Sequence, residues 1–278
     1  MIFFKSLKYT VKSFFKKHLP TNAAATAYFT LITLFPAFLL MVSLGDKFIK
    51  VHGVSREIAE KIISVFPPET QGFLITNLDT MISSPNWESM VTYASIYLWA
   101  GMWVFSILED ALNKAWNVEK KRSFLKSLLI HLFLILISSI FLISSGATIV
   151  AFHFLRLNVL FRDFPYSNHF LQVIFAISAF VFTTMLFTII YKVLPDTNVH
   201  LSKAFIGGVL ASIVWHIGNY IFVLTIPYFH YEQVYGSIWA IVIIVVWIYV
   251  SSWIFIFCGQ LIYFFQNREV AFKLDAGK

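Results

Sequence analysis

The sequence predicts an all-α integral membrane protein: a bundle of six transmembrane helices preceded by a basic amphipathic helix. Three observations predict it. Of the 278 residues, 59% are hydrophobic and only 13% charged, whereas soluble domains carry about 25% charged residues. Six apolar segments of 19 to 29 residues follow one another, and about 20 residues cross a bilayer's hydrocarbon core as a helix. Lys and Arg gather on alternate connections, as they do where those connections face a cytoplasm. Runs this long and continuous exclude transmembrane strands, which alternate over segments of about 10 residues.

In chain order, segment 1–22 is basic and amphipathic. Phe4, Leu7, Val11, Phe14 and Phe15 recur near helical spacing, while Lys5, Lys8, Lys12, Lys16 and Lys17 crowd the other side. Such a helix lies in the interface of an anionic leaflet. Ala23-Ala24-Ala25 imitates a signal-peptidase site, but the apolar region follows it and, at 22 residues, is too long for a signal-peptide core. The first span stays attached.

The transmembrane domain occupies 23–265, with spans at about 23–44, 90–108, 128–152, 171–191, 204–226 and 237–265, followed by a short tail at 266–278. The 45-residue connection Gly45–Ser89 is too long to be a simple link. Ile58, Ile62, Val65 and Phe66 share one helical face within it, and Phe73, Leu74, Leu78, Met81 and Ile82 another, separated by Pro67-Pro68. Two short extracytoplasmic helices are expected there, either as a packed outer cap or as a substrate-gating lid. Fifteen Lys and Arg fall on the N-terminal, Glu109–Ser127, Lys192–Lys203 and C-terminal segments, against six on the opposite connections. This asymmetry puts both termini in the cytoplasm.

The last two spans form a hairpin. Its turn, Tyr235-Gly236-Ser237, offers a glycine able to take a positive dihedral or to allow a close helix approach, and a serine able to cap the last helix.

Chemistry-bearing residues are few. A single cysteine, Cys258, lies in the last span and can build neither an intrachain disulfide nor a multi-cysteine metal site. The eight histidines never recur at metal-holding spacing, and no Gly-rich phosphate loop ending in Lys-Ser/Thr is present. Neither a metal nor another cofactor is implied. The net charge of +7 sits on the connections, which argues for membrane orientation over a nucleic-acid partner. Glu109 and Asp110, at the end of the second span beside Lys114, Lys120, Lys121 and Arg122, read as surface ion pairs rather than a catalytic carboxylate pair. No Asp, Glu, Lys or Arg lies in the middle of a span, and only His216 is near a span centre. A proton pump with a buried carboxylate relay is disfavoured.

Neutral polar stripes take the place of charge. Asn22, Thr26, Thr30 and Thr33 line one face of the first span, and Pro36 then removes a backbone donor and is expected to kink the helix. Gly208, Ser212, His216 and Asn219 line a face of the fifth. These nine residues are candidates either for helix contacts, since small and polar side chains hold helices together in lipid, or for the walls of one polar cavity that accepts a headgroup or solute.

The chain resembles the YihY/virulence factor BrkB family of bacterial membrane proteins, some of which were formerly labelled ribonuclease BN. The likeness covers nearly the whole sequence and rests on Ala23-Ala24-Ala25-Thr26-Ala27-Tyr28-Phe29-Thr30-Leu31 through Leu34-Phe35-Pro36, on Ala111-Leu112-Asn113 with Trp116, on Leu194-Pro195, and on Tyr235-Gly236-Ser237 with Trp247 and Gly259. It departs after Gly259, where Gln260-Leu261 stands in place of the Ala-Glu frequent in the family. The resemblance implies six spans in a bacterial cytoplasmic membrane and a role in the cell envelope. The expected function is that of a transporter or lipid-handling factor, with membrane lipids as partners and a lipid or small solute as substrate. The alternative is a non-transporting scaffold for envelope assembly. A tRNA-processing ribonuclease lacks the residues, so no enzymatic activity is expected.

Overall fold

The computed structural model describes residues 2–44, 75, 87–118, 122–157, 167–229 and 234–267, apart from the side chains at 2–5, 42–44, 142, 145–157, 167–172 and 237. Their regular elements are all helical: α1 (Ile2–Lys16), α2 (Leu19–Leu44), α3 (Trp87–Ala115), α4 (Phe124–Leu157), α5 (Ser167–Val193), α6 (Leu201–Thr225) and α7 (Trp239–Gln266). Short 3-10 turns occupy Ile226–Tyr228 and Gly236–Ile238. Six helices, α2 to α7, are long and apolar enough to cross a membrane. The two short helices expected within Gly45–Ser89, apart from Ile75, and the tail beyond Asn267 lie outside the described residues.

Each predicted span falls largely within one helix, and α3, α4 and α5 run further than expected at both ends because charge does not end them. The second span, expected to stop at Leu108, continues as α3 through Glu109 and Asp110 to Ala115. It ends in a Schellman motif: Asn117 takes φ +54°, Val118 N donates to Asn113 O at 3.0 Å, and Asn117 N to Lys114 O at 3.3 Å. Asparagine tolerates this left-handed position better than most side chains. Pro36 lies inside α2, which continues to Leu44, although the proline offers no N–H to the Ile32 carbonyl.

On α4 the exposed Leu129, Phe133, Leu136, Ile140 and Ile143 recur at i, i+4, i+7, i+11 and i+14, while His131, Leu134 and Ile135 between them are buried. An apolar stripe of this length on an outer face belongs in lipid.

The chain divides into two compact units. One comprises Met1–Pro20, Leu108–Asn219 and Trp253–Lys278; the other comprises Thr21–Ile107 and Tyr220–Ser252. In the first unit, Tyr191 of α5 stacks on Phe255 of α7 with ring centroids 4.5 Å apart and donates its hydroxyl to the Phe255 carbonyl at 2.7 Å. Phe141 of α4 meets Phe182 of α5 edge-on. The buried Phe14 of α1 packs edge-on against Trp253 and Phe257. In the second unit, Phe29 of α2 stacks on Trp103 of α3, and Phe222 lies against Trp247 across the final hairpin.

Within that hairpin Gly236 takes φ +56°, and a Cβ built there would meet no atom within 4 Å. Backbone conformation, rather than close approach, is what calls for glycine. The turn it opens has Tyr235 at its N-cap, with no side-chain capping bond; the Ser237 side chain lies outside the described residues. Gly236→Val is therefore predicted to cost about 1–2 kcal/mol of stability, while Gly236→Asn costs less. Thermal melts of the purified variants in detergent check the order; equal melting temperatures for both variants and the parent would contradict it.

Candidate functional site

The first unit contains a charge cluster where α3 ends. Glu109 and Asn113 stand one turn apart on the same face of α3, and both are buried. Glu109 is thus no surface residue, contrary to expectation: only 8% of it is exposed. Its Oε2 lies 2.6 Å from His131 Nε2 on α4, and its Oε1 accepts from Ser127 Oγ at 3.2 Å. Asp110, on the outer side, does form the expected exposed pair, with Lys114 at 2.7 Å.

Arg122 completes the cluster from the connection before α4. Its Nε is 3.1 Å from Asp196 Oδ1 and 3.5 Å from Glu109 Oε1, and it makes no well-directed hydrogen bond there. Its two terminal nitrogens donate to the carbonyls of Val193 (3.3 Å), Leu194 (3.1 Å) and Pro195 (2.6 Å). A planar, permanently charged fork suits this set, because the carbonyls ending a helix carry its negative dipole end. The Arg122 amide donates to Asp196 Oδ2, and the Asp196 amide donates to Asn113 Oδ1 at 2.8 Å. Among the described residues, no three His, Cys, Asp or Glu side chains are grouped to hold a metal.

Beside the cluster, Trp116 Nε1 donates to Gly259 O at 3.1 Å. A Cβ on Gly259 would come within 2.4 Å of Leu112 and 3.2 Å of Tyr191. The Ala111-Leu112-Asn113, Trp116, Leu194-Pro195 and Gly259 motifs therefore meet in one place. Gln260, next in the chain, is fully buried, with neither amide atom hydrogen-bonded.

These observations bear on kinship. The profile of the family described as Virulence factor BrkB matches residues 10–278. The chain belongs to that family. Among its relatives, the UPF0761 membrane protein of Glaesserella parasuis is 27% identical over 218 residues, covering 77% of this chain and 74% of that one. The UPF0761 membrane protein of Actinobacillus pleuropneumoniae is 23% identical over 256 residues, covering 92% and 91%. That of Haemophilus influenzae is 26% identical over 251 residues, covering 89% and 90%. No solved structure matches this BrkB-family chain.

The stripe on α6 packs on α5 within the first unit. A Cβ on Gly208 would lie 2.3 Å from Thr188 Oγ1, and the His216 ring sits 5.8 Å from that of Phe180. These two contacts set an antiparallel register that brings Ser212 level with Thr184. Both are buried, at 0% and 5% exposure, and Thr184 Oγ1, Ser212 Oγ and His216 Nε2 have no hydrogen-bond partner. Thr188, one turn away, bonds the Thr184 carbonyl at 2.7 Å. Asn219 is partly exposed at the end of the stripe.

The α2 stripe belongs to the second unit. Thr26 donates to Asn22 O at 2.8 Å and Thr33 to Phe29 O at 2.6 Å, each closing on its own helix. Thr26 and Pro36 are buried, while Asn22, Thr30 and Thr33 are partly so.

A third feature ties α1 down. Lys17 Nζ donates to the Lys114 and Ala115 carbonyls at 2.8 and 3.0 Å and to Asn117 Oδ1 at 2.8 Å. It thereby neutralises the C-terminus of α3. Burial lowers its pKa from 10.5 to about 8. Because the folded-state value is the lower one, the unfolded chain holds more protons between these limits, and stability from this group rises as pH passes from about 8 to 10.5. Lys17→Met is predicted to lack that increment, so the parent's melting temperature rises relative to the variant's between about pH 8 and 10.5.

The cluster yields a sharper expectation. Arg122→Ala leaves the buried Glu109 and the partly buried Asp196 without their cation and is predicted to cost about 3 kcal/mol, and Arg122→Lys recovers only part because it cannot fork over three carbonyls. Detergent melting curves read this directly; a full rescue by lysine would show that charge alone suffices.

Proposed function

We propose that the protein is a transporter or lipid-handling factor of the bacterial envelope, resident in the cytoplasmic membrane with both termini in the cytoplasm. The supporting observation is the trio of buried, unpartnered polar atoms on the α5–α6 face, at Thr184, Ser212 and His216. Each such atom costs about 1–3 kcal/mol when no partner meets it. Thr188 escapes that cost by bonding backbone, so the neighbouring hydroxyls gain nothing structurally from staying open. A neutral hydrogen-bonding group, either a lipid headgroup or a small polar solute, is the partner such atoms would take. Fifteen Lys and Arg on one set of connections against six on the other support the orientation. The rival reading, a non-transporting scaffold for envelope assembly, draws on Gly207 and Gly259, whose close contacts key α6 and α7 to their neighbours.

The test is purification from native membrane in polymer-bounded discs, with mass spectrometry of retained lipids and solutes. The variant Thr184→Val with Ser212→Ala is predicted to retain less of an enriched species at an unchanged or slightly higher melting temperature, since it removes groups that had no partner. Retention of nothing beyond bulk lipid by parent and variant alike would favour the scaffold.

A further inference from the structure

We propose that α1 is an in-plane docking helix for anionic phospholipid headgroups, a role that rests on α1 alone and not on the α5–α6 face. The helix has three sectors. Ser6, Thr10 and Phe14 are buried, and Phe14 packs edge-on against the mutually stacked rings of Trp253 and Phe257 of α7. Lys17, near that sector, is turned inward onto the end of α3. The remaining surface splits again: Val11 and Phe15 are exposed, Phe15 by 57%, and beside them Lys8, Lys12 and Lys16 form an exposed row at i, i+4 and i+8.

No acidic residue occurs in α1, and no ion pair joins these three lysines among the described residues. A helix facing water on this side gains nothing from exposing Val11 and Phe15 together beside the lysine row. One sitting at the headgroup level does, with the apolar sector in the acyl boundary and the ammonium groups reaching phosphates. The pairing of apolar and basic sectors favours a lipid surface over a nucleic acid, which would leave Val11 and Phe15 unmatched. Anchoring by Phe14 and Lys17 holds the row in one orientation, so its charge acts on the bilayer without the cost of ordering a free helix.

Full-length protein in mild detergent is titrated with phosphatidylglycerol and with phosphatidylcholine, and bound lipid is counted by native mass spectrometry. The parent is expected to prefer phosphatidylglycerol by about tenfold at low salt, a preference that shrinks several-fold at high salt. Lys8→Gln, Lys12→Gln and Lys16→Gln together are expected to bring the preference below about twofold with the melting temperature unchanged. Should the triple variant not accumulate, each single variant is expected to lose part of the preference. Phe15→Ser weakens both lipids alike and leaves their ratio intact, whereas Lys126→Gln with Lys203→Gln, outside α1, leaves the ratio at the parent value. Undiminished preference in the α1 variants, equal loss in the Lys126 and Lys203 variant, or a preference indifferent to salt would overturn the proposal.

Discussion

The Arg122 guanidinium is the interaction on which the described arrangement of the first unit most depends. It reaches the carbonyls that end α5, lies beside the carboxylates of Glu109 and Asp196, and sits in the connection that leads into α4. Three helix ends are thereby held by one side chain. The physical need is plain: the last carbonyls of a helix have no donor within it, and near a bilayer water supplies fewer. A cation with several fixed donors answers both the orphan carbonyls and the acids, His131 Nε2 meets the second oxygen of Glu109, and Asn113 Oδ1 accepts from the Asp196 amide. Lys17 repeats the solution at the end of α3 with a point charge. Polar chemistry thus concentrates at helix ends, where it offsets a defect that every transmembrane helix carries.

Between those ends, the helices are fitted by absence of side chain. Gly207 admits Ile262, and Gly259 admits Leu112 and Tyr191. Lipid gives no hydrophobic drive for helices to associate, so backbone proximity and dispersion must do it. Tyr191 uses the space fully, stacking on Phe255 and bonding its carbonyl. The polar tip satisfies itself while the ring fills the gap.

How much of this was legible follows from what periodicity reports. Six spans could be read because an uncharged run of some 20 residues has one solution in lipid. Helix ends could not, since Glu109 and Asp110 look like a boundary while α3 continues through Ala115. The burial of Glu109 was partly visible: Glu109, Leu112, Asn113 and Trp116 recur at i, i+3, i+4 and i+7, a pattern that marks one face. Its partners were not, because Arg122, His131 and Asp196 come from two connections and another helix, and sequence gives no register between helices. Gly236 was readable at the level of the turn, but the choice between conformation and contact needed its φ of +56° and the open space beside it.

The polar stripe on α6 shows why spacing alone leaves function open. Glue and site demand the same residues at the same interval, because either role needs hydrogen-bonding groups on one face. They differ in whether the bond is closed. Thr26, Thr33 and Thr188 have closed theirs on backbone of their own helices, the cheapest resolution in a medium without water. Thr184 and Ser212, at the same level by register, have not, although the same local bond is open to any threonine or serine in a helix. A residue that forgoes an available partner while staying buried carries a standing cost. Such a cost is tolerated more readily where another molecule meets it, and this unmatched pair, rather than the stripe as a whole, is where packing and recognition predict different outcomes.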